Sequence, residues 1–229
     1  MNLNGNYNGK YFSVLGDSIS TLSGVSRPYD AAYYEGMRKL ETCVYCIKDT
    51  WWGIVVGSLD GELLVNNSFS GSMVTRRKSC VIESYGCSDA RTSDLSENGK
   101  SPDVIFAFMG YNDWGCGAEI YGENDDSDLS LFFVAYSTMI RKIRANYPDA
   151  EIMCFTLPVS KYEGREEFPY FYAGRHIEEY CDAIESVAKK YGCRVIDLYR
   201  ECEPFDTSDG FHPNADGMKT IADAVLRLI

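Results

Sequence analysis

Five short segments of the chain have the composition of buried β-strands. Each is apolar over most of its length and contains β-branched or aromatic residues, and the first is closed by Gly16. The five segments are Lys10–Leu15, Glu62–Asn66, Pro102–Met109, Ala150–Leu157 and Cys193–Tyr199. Because their apolar residues are continuous rather than alternating, we expect strands that are covered on both faces.

Between these segments, apolar residues recur at helical spacing. The predicted helices are Thr50–Leu59, about Ser88–Glu97, Leu129–Tyr147, about Gly174–Tyr191 and Ala215–Leu228. Strand and helix alternate along the chain, which indicates a parallel sheet with right-handed crossover helices on both faces. Since no linker or repeat interrupts the alternation, we predict a single doubly wound α/β domain over residues 1–229.

Two segments leave the C-terminal ends of predicted strands, where open α/β sheets bind their ligands. Trp114–Ser130 is acidic and contains glycine, and Pro158–Ala173 is rich in charged and aromatic residues. Both are candidate walls or lids of a ligand crevice. The alternative is that they are surface loops without a role in binding.

The overall charge argues against binding to nucleic acid or to anionic membranes. The chain has 22 Lys and Arg against 34 Asp and Glu, a net charge of −12, which repels phosphate backbones and anionic lipid surfaces. No apolar run approaches the ~20 residues that a membrane span requires. The polar N-terminus lacks the apolar segment of a secretory signal, so we expect a cytoplasmic protein that binds neither nucleic acid nor membrane.

Cysteine usage fits a reducing compartment. Nine cysteines is an odd number, and a chain of 229 residues can bury a core without disulfides. Cys43 and Cys46 form a C-x-x-C motif without a second pair or nearby histidines, so we interpret them as ordinary thiols and expect no metal site.

Histidine is scarce, since the chain has only His176 and His212. His212 follows Asp209 by three residues in D-G-F-H-P-N, so the carboxylate can reach the imidazole Nδ1–H and leave Nε2 free to accept a proton. His176 lies among charged residues at the start of a predicted helix, and no partner arrangement marks it for catalysis.

The strongest candidate nucleophile is Ser18, which follows the first strand in L-G-D-S-I-S-T. A serine there can attack a carbonyl and offer its own N–H to the oxyanion. Gly71 in S-G-S and the Asn112 side chain in G-Y-N-D follow the second and third strands and could donate two more hydrogen bonds. These positions also have structural interpretations, since Asp17, Ser18 or Ser20 could cap a helix, and Gly71 and Asn112 could be turn residues.

These four motifs, in this order, resemble those of the SGNH hydrolases, also called the GDSL esterase/lipase family. The resemblance runs from Gly16 to His212, and the name-giving Ser, Gly, Asn and His match Ser18, Gly71, Asn112 and His212. It implies a flavodoxin-like three-layer fold with strand order 2-1-3-4-5. It further implies a Ser18–His212–Asp209 catalytic triad and an oxyanion hole made by the Ser18 N–H, the Gly71 N–H and the Asn112 side chain.

The expected activity is therefore hydrolysis of carboxylic esters through an acyl-enzyme, without metal or organic cofactor. The absence of a long apolar lid and the polar crevice loops favour a short acyl group, such as acetyl, on a carbohydrate or other polar scaffold. Alternatives are a lysophospholipase or thioesterase of the same family, or a flavodoxin-like binding module whose S-I-S-T-L-S-G segment holds a phosphate or flavin. The oligomeric state cannot be predicted from the sequence.

Overall fold

The architecture is a parallel five-stranded sheet between two layers of helices, in a computed structural model that describes residues 6–27, 31–76, 84–122, 127–161 and 168–229. The strands are β1 (Tyr11–Gly16), β2 (Glu62–Ser68), β3 (Val104–Phe108), β4 (Glu151–Phe155), β5 (Phe171–Tyr172), β6 (Arg175–His176) and β7 (Arg194–Ile196). The helices are α1 (Gly36–Thr42), α2 (Trp51–Ser58), α3 (Asp89–Ser93), α4 (Tyr111–Gly115), α5 (Phe132–Asn146), α6 (Ile177–Lys190), α7 (Leu198–Glu201) and α8 (Ala215–Leu228).

The sheet has the order β2-β1-β3-β4-β7, with every neighbouring pair parallel. The predicted order of the five sheet strands is confirmed, because β5 and β6 form a separate antiparallel hairpin. Strand β2 lies on one side of β1, and the later strands β3, β4 and β7 lie on the other side. Because the strand order switches at this point, the loops after β1 and β3 diverge and leave a crevice between them.

Helices α2 and α8 pack together on one face of the sheet, and α3, α5 and α6 cover the other. The rings of Trp51 from α2, Phe106 from β3 and Phe155 from β4 lie 5.3 to 5.6 Å apart, and all three residues are fully buried. Burial of such aromatic side chains on both faces stabilises the layers and fixes the strand ends that carry the site.

Two predicted elements end three or more residues earlier in the structure. The strand predicted over Cys193–Tyr199 ends at Ile196, since Asp197 caps α7 by accepting the backbone N–H of Arg200. The helix predicted over about Ser88–Glu97 ends at Ser93, where the N–H of Leu95 donates to the Tyr147 hydroxyl instead of continuing the helix. In both cases a side chain supplies a hydrogen bond that competes with the regular element.

The pattern did not predict four small elements, namely α1, α4, α7 and the β5–β6 hairpin. Each is seven residues or shorter, too short for a periodic signal. Among the described residues, no helix is long and apolar enough to cross a membrane.

Candidate active site

Ser18 lies at the end of β1, in a single 3₁₀ turn formed by Ser18–Ser20. Asp17 caps this turn, since its Oδ1 accepts the backbone N–H of Ile19. Gly16 allows the close approach that the turn requires, because a Cβ there would lie 2.6 Å from the Cβ of Ser20. The helix-cap interpretation therefore holds for Asp17 and leaves the Ser18 hydroxyl free for another partner.

That partner is His212, which belongs to the loop before α8. Its Nε2 lies 2.9 Å from Ser18 Oγ, and its Nδ1 lies 2.8 Å from Asp209 Oδ2. The other carboxylate oxygen of Asp209 accepts the backbone N–H groups of Phe211 and His212, so one tight turn orients acid and imidazole together. The structure thus places Ser18, His212 and Asp209 in a continuous hydrogen-bonded chain.

The surroundings of Asp209 favour its ionised form. Partial burial acts to raise the pKa of Asp209, but hydrogen bonds from the ring and backbone N–H of His212 outweigh it and hold this pKa well below its usual range. The carboxylate is therefore negative wherever the imidazole titrates and can stabilise an imidazolium.

Asn112 lies in α4, directly after β3, and its Nδ2 donates to the backbone carbonyl of Ser72 at 2.9 Å. This contact fixes the orientation of the amide and leaves its second N–H for a ligand. Gly71 immediately precedes Ser72 and has a φ of +77°, a conformation that favours glycine. Among the described residues, no acceptor binds the backbone N–H of Ser18 or of Gly71.

A cavity of about 250 Å³ opens beside Ser18, and its wall is mainly aromatic and apolar. We call it the Ser18 cavity; its lining is Ser18, Ile19, Tyr111, Asn112, Trp114, Gly115, Cys116, Tyr172, Phe211 and His212. Gly71 lies outside this lining and is exposed, so of the three predicted oxyanion donors it is the one without a contact to the cavity.

Both segments predicted as crevice walls contribute to the cavity. Trp114–Ser130 supplies Trp114 and Cys116, although its first residues belong to α4, and Pro158–Ala173 supplies Tyr172. Positions 123–126 and 162–167 of these segments lie outside the described residues. Of the other aromatic residues in them, Phe168 is buried and stacks on Trp114 at 5.4 Å, which is a packing role.

Three residues support the site but were not predicted as site residues. Asp113 belongs to the G-Y-N-D motif, whereas Arg91 and Tyr33 belong to none of the four motifs. Arg91 is buried and donates to Gly16 O, to Asn67 O and to the Ser72 hydroxyl, so it joins the ends of β1 and β2 to the Gly71 loop. Burial lowers the pKa of Arg91 to about 10, so the guanidinium remains charged at neutral pH.

The second is Asp113, the residue after Asn112. It is fully buried and accepts the N–H groups of Val74 and Thr75 and the Thr75 hydroxyl. Burial raises its pKa to about 6, although these hydrogen bonds act in the opposite direction. Asp113 therefore ties α4, which carries Asn112, to the loop that carries Gly71. The third is Tyr33, whose ring lies on the imidazole of His212.

His176, by contrast, is the N-cap of α6, where its Nδ1 accepts the N–H of Glu178 at 3.2 Å. It does not line the Ser18 cavity. The alternative of a phosphate-binding first loop requires an α-helix that begins at this loop. The structure contradicts it, because S-I-S forms one 3₁₀ turn and no α-helix begins before Gly36 in the described residues.

The family model described as GDSL-like Lipase/Acylhydrolase matches residues 10–229. The chain therefore belongs to the GDSL-like lipase/acylhydrolase family, and it is a hydrolase.

Solved structures agree with this assignment. A protein described as a GDSL-like lipase from Bacteroides uniformis is 27% identical, with a TM-score of 0.70, and the match covers 96% of this chain and 94% of that one. One from Bacteroides ovatus is 24% identical, with a TM-score of 0.73 and coverage of 96% and 97%. Est24, a carbohydrate acetylesterase from Sinorhizobium meliloti, has the same fold at 14% identity, with a TM-score of 0.62 and coverage of 96% and 100%. No curated protein sequence matches the chain.

Proposed function

We propose that the chain is a serine esterase that removes short acyl groups, acetyl foremost, from a carbohydrate or another polar scaffold. The observation that carries the proposal is the pair of contacts of His212, 2.9 Å to Ser18 Oγ and 2.8 Å to Asp209 Oδ2. A hydroxyl, an imidazole and a carboxylate joined in this order are the parts that nucleophilic acyl transfer requires.

In the first half of the reaction, Ser18 Oγ attacks the ester carbonyl while His212 Nε2 takes the hydroxyl proton. Asp209 orients the imidazole and stabilises the imidazolium. His212 then returns the proton to the leaving alcohol, and an acyl-Ser18 ester remains. In the second half, His212 takes a proton from water, which attacks the acyl group and releases the acid and the free Ser18 hydroxyl.

The oxyanion formed in both halves needs hydrogen-bond donors. We assign this role to the N–H groups of Ser18 and Gly71 and to the free amide N–H of Asn112. A donor of this kind stabilises the transition state by about 2.7–4 kcal/mol. The contact from Asn112 to Ser72 O supports the assignment, because it links the amide to the loop that carries Gly71.

The size of the Ser18 cavity supports a small substrate group. Its volume of about 250 Å³ is below the roughly 300–1,000 Å³ typical of pockets for drug-sized ligands, so it suits an acetyl group or a single ring. The ring of Tyr172, which lines the cavity and is 46% exposed, can stack on the apolar face of a sugar ring. Two structural neighbours, Est24 and a family two carbohydrate esterase from Clostridium thermocellum, are described as acting on carbohydrate esters.

The apolar lining also gives a second candidate within the family, a lysophospholipase or thioesterase that binds its acyl chain in the cavity. The two candidates differ in acyl length. A panel of p-nitrophenyl esters from acetate to palmitate, together with acetylated sugars, separates them. The proposal expects the highest kcat/KM for acetate and release of acetate from the sugars, whereas a maximum at long chains would support the alternative.

The same panel tests the nucleophile. Ser18→Ala should reduce kcat/KM at least about a thousandfold, as loss of a triad nucleophile does. Ser186→Ala, on the exposed face of α6, is the matched control and should retain wild-type activity. Unchanged turnover in Ser18→Ala would overturn the proposed function.

A further inference from the structure

Tyr33 contacts both His212 and Asp209, although no motif marked it. Its ring lies parallel to the imidazole of His212, with a centroid distance of 3.6 Å and an interplanar angle of 10°. Its hydroxyl donates to Asp209 Oδ2 at 2.8 Å. One side chain therefore covers a face of the imidazole and binds the acid that orients it.

The carboxylate oxygen involved is the one that also binds the imidazole. Asp209 Oδ2 accepts from Tyr33 and lies 2.8 Å from His212 Nδ1, while Oδ1 accepts the two backbone N–H groups of the turn. Two donors on one oxygen compete for the same negative charge. A stronger bond from the phenol leaves the carboxylate less able to stabilise an imidazolium.

Tyr33 is held from both sides of the site. Its backbone N–H donates to Thr21 Oγ1 at 2.8 Å, and Thr21 in turn donates to the carbonyl of Ser18. Tyr34 packs edge-on against its ring at 5.0 Å and donates to the carbonyl of Pro213, next to His212. Tyr33 does not line the Ser18 cavity, so it acts on the reaction through His212 and Asp209 and not through the substrate.

Other charged and polar groups lie next to this cluster. The Arg38 guanidinium lies 5.3 Å from the centre of the Tyr33 ring and pairs with Glu41. The Ser208 hydroxyl lies 3.5 Å from the phenol oxygen of Tyr33, and the uncharged ring of Tyr34 packs edge-on against the Tyr33 ring. Burial raises the pKa of Tyr33; the hydrogen bond to Ser208 acts against this shift and that to Asp209 reinforces it. The phenol therefore remains a donor throughout the neutral pH range.

We infer that Tyr33 is a positioning residue that fixes the plane of His212 and, through its hydrogen bond to Asp209, lowers the pH at which the imidazole takes up a proton. The inference rests on the proposed function only for its catalytic consequence, since the coupling of the three side chains can be measured without substrate. Because an esterase needs a neutral imidazole as base, the effect of the phenol is to extend activity toward lower pH.

The test uses the two histidines of the full chain, whose imidazole proton signals are followed by NMR titration. Tyr33→Phe keeps the stacked ring and removes the hydroxyl, so the midpoint for His212 should rise by about half a unit to one unit, a factor of about 3 to 10 in the protonation equilibrium. His176 is the internal reference and should not move. The acidic limb of the kcat/KM profile for p-nitrophenyl acetate should shift by the same amount.

Two further variants separate this coupling from a general loosening of the loop. A 3-fluorotyrosine at position 33 is a stronger donor of nearly the same shape whose phenol still ionises above the histidine range, so the midpoint for His212 should move in the opposite direction, to lower pH. Tyr34→Phe removes a hydroxyl whose partner, within the residues that the structure describes, is the carbonyl of Pro213, and the midpoint for His212 in this variant should equal that of the wild type.

A His212 midpoint that is unchanged in both Tyr33→Phe and the fluorinated protein would overturn the inference, and so would an equal shift in Tyr34→Phe. This result would leave the proposed function intact if Ser18→Ala is inactive and the wild type is active. Failure of the wild type to cleave any ester would overturn the proposed function instead, while the NMR titration would still decide the role of Tyr33.

Discussion

The hydroxyl of Ser18 and the imidazole of His212 lie 2.9 Å apart although 194 positions of sequence separate them. The sheet order explains the approach, because β1 occupies the second position of the sheet and the loop before α8 returns to its C-terminal end. The contact between Ser18 and His212 therefore depends on the packing of the whole sheet. Substitution of residues that hold the strand ends together should change the stability or the activity of the protein.

Arg91 is the support whose loss should cost the most stability. Lysine cannot reproduce its bonds to Gly16 O, Asn67 O and the Ser72 hydroxyl, and it would leave buried acceptors unpaired. Arg91→Lys should therefore lower the free energy of unfolding by about 3–5 kcal/mol, since each buried acceptor left unpaired costs about 1–3 kcal/mol. Urea denaturation measures this, and Arg141→Lys on the exposed face of α5 should change it by less than about 0.5 kcal/mol.

Asn112→Ala should affect kcat far more than KM. The substitution removes an oxyanion donor and the contact with Ser72 O, so we expect kcat to fall about 100- to 1,000-fold. Asn146→Ala is the matched control, because Asn146 also donates its amide to a backbone carbonyl, that of Thr92, but does not line the Ser18 cavity. Equal kcat values for the two variants would contradict the assigned role of Asn112.

Loss of the proton on Asp17 should lower the free energy of unfolding as the pH rises toward neutrality. Burial raises its pKa to about 7, although the Ile19 N–H acts against this shift, whereas an unfolded aspartate ionises near pH ~4. Between these values the folded chain holds a proton that the unfolded chain has lost, so the free energy of unfolding falls as pH increases. Asp113, with a pKa raised to about 6, contributes with the same sign.

The variant Asp17→Asn tests this dependence. Asp17 Oδ2 has no hydrogen-bond partner within the described part of the chain, so an amide can replace the acid there without breaking a bond to that atom. Urea denaturation at pH 5 and pH 8 should show a loss on the order of 2 kcal/mol in the wild type and a smaller one in Asp17→Asn. The exposed Asp149→Asn should behave as the wild type.

Tyr172 and Phe171 form a natural pair for testing the cavity wall. Tyr172 lines the Ser18 cavity, whereas its neighbour Phe171 is 68% exposed and does not. Tyr172→Ala should raise KM for an acetylated sugar about tenfold, because a stacking contact is worth about 0.5–1.5 kcal/mol beyond area burial. Phe171→Ala should leave KM unchanged, and an equal rise in both variants would exclude a specific role for Tyr172.

The parts of this site that carry a local pattern could be predicted from the sequence. Asp209 and His212 belong to one turn, and Ser18 and Asn112 directly follow the apolar strands β1 and β3, so spacing placed them at the C-terminal edge of the sheet. The neighbouring positions of β1 and β3 came from the strand order that the family resemblance implies. The five sheet strands and the helices α2, α3, α5, α6 and α8 were predicted from their apolar patterns. The predicted elements differ from the observed ones at their ends, and at β7 and α3 a side chain competes for a backbone hydrogen bond.

The supporting residues could not be predicted in this way. Arg91 reaches Gly16 across 75 positions and Tyr33 reaches Asp209 across 176, and neither lies in a segment with a recognisable spacing. A buried arginine that binds neutral acceptors looks, in sequence, like any charged residue on a helix surface. Such contacts become visible only when the tertiary packing is known, since long-range partners leave no periodic signal.

The central claim is that Ser18 is the nucleophile activated by His212. The most direct measurement is labelling of the wild-type protein with a fluorophosphonate probe, followed by mass spectrometry of the digested chain. We predict one phosphonyl group on the peptide that contains Ser18, lost in Ser18→Ala and strongly reduced in His212→Gln but not in His176→Asn. Labelling at another residue, or ester hydrolysis by a protein whose Ser18 stays unmodified, would contradict the account.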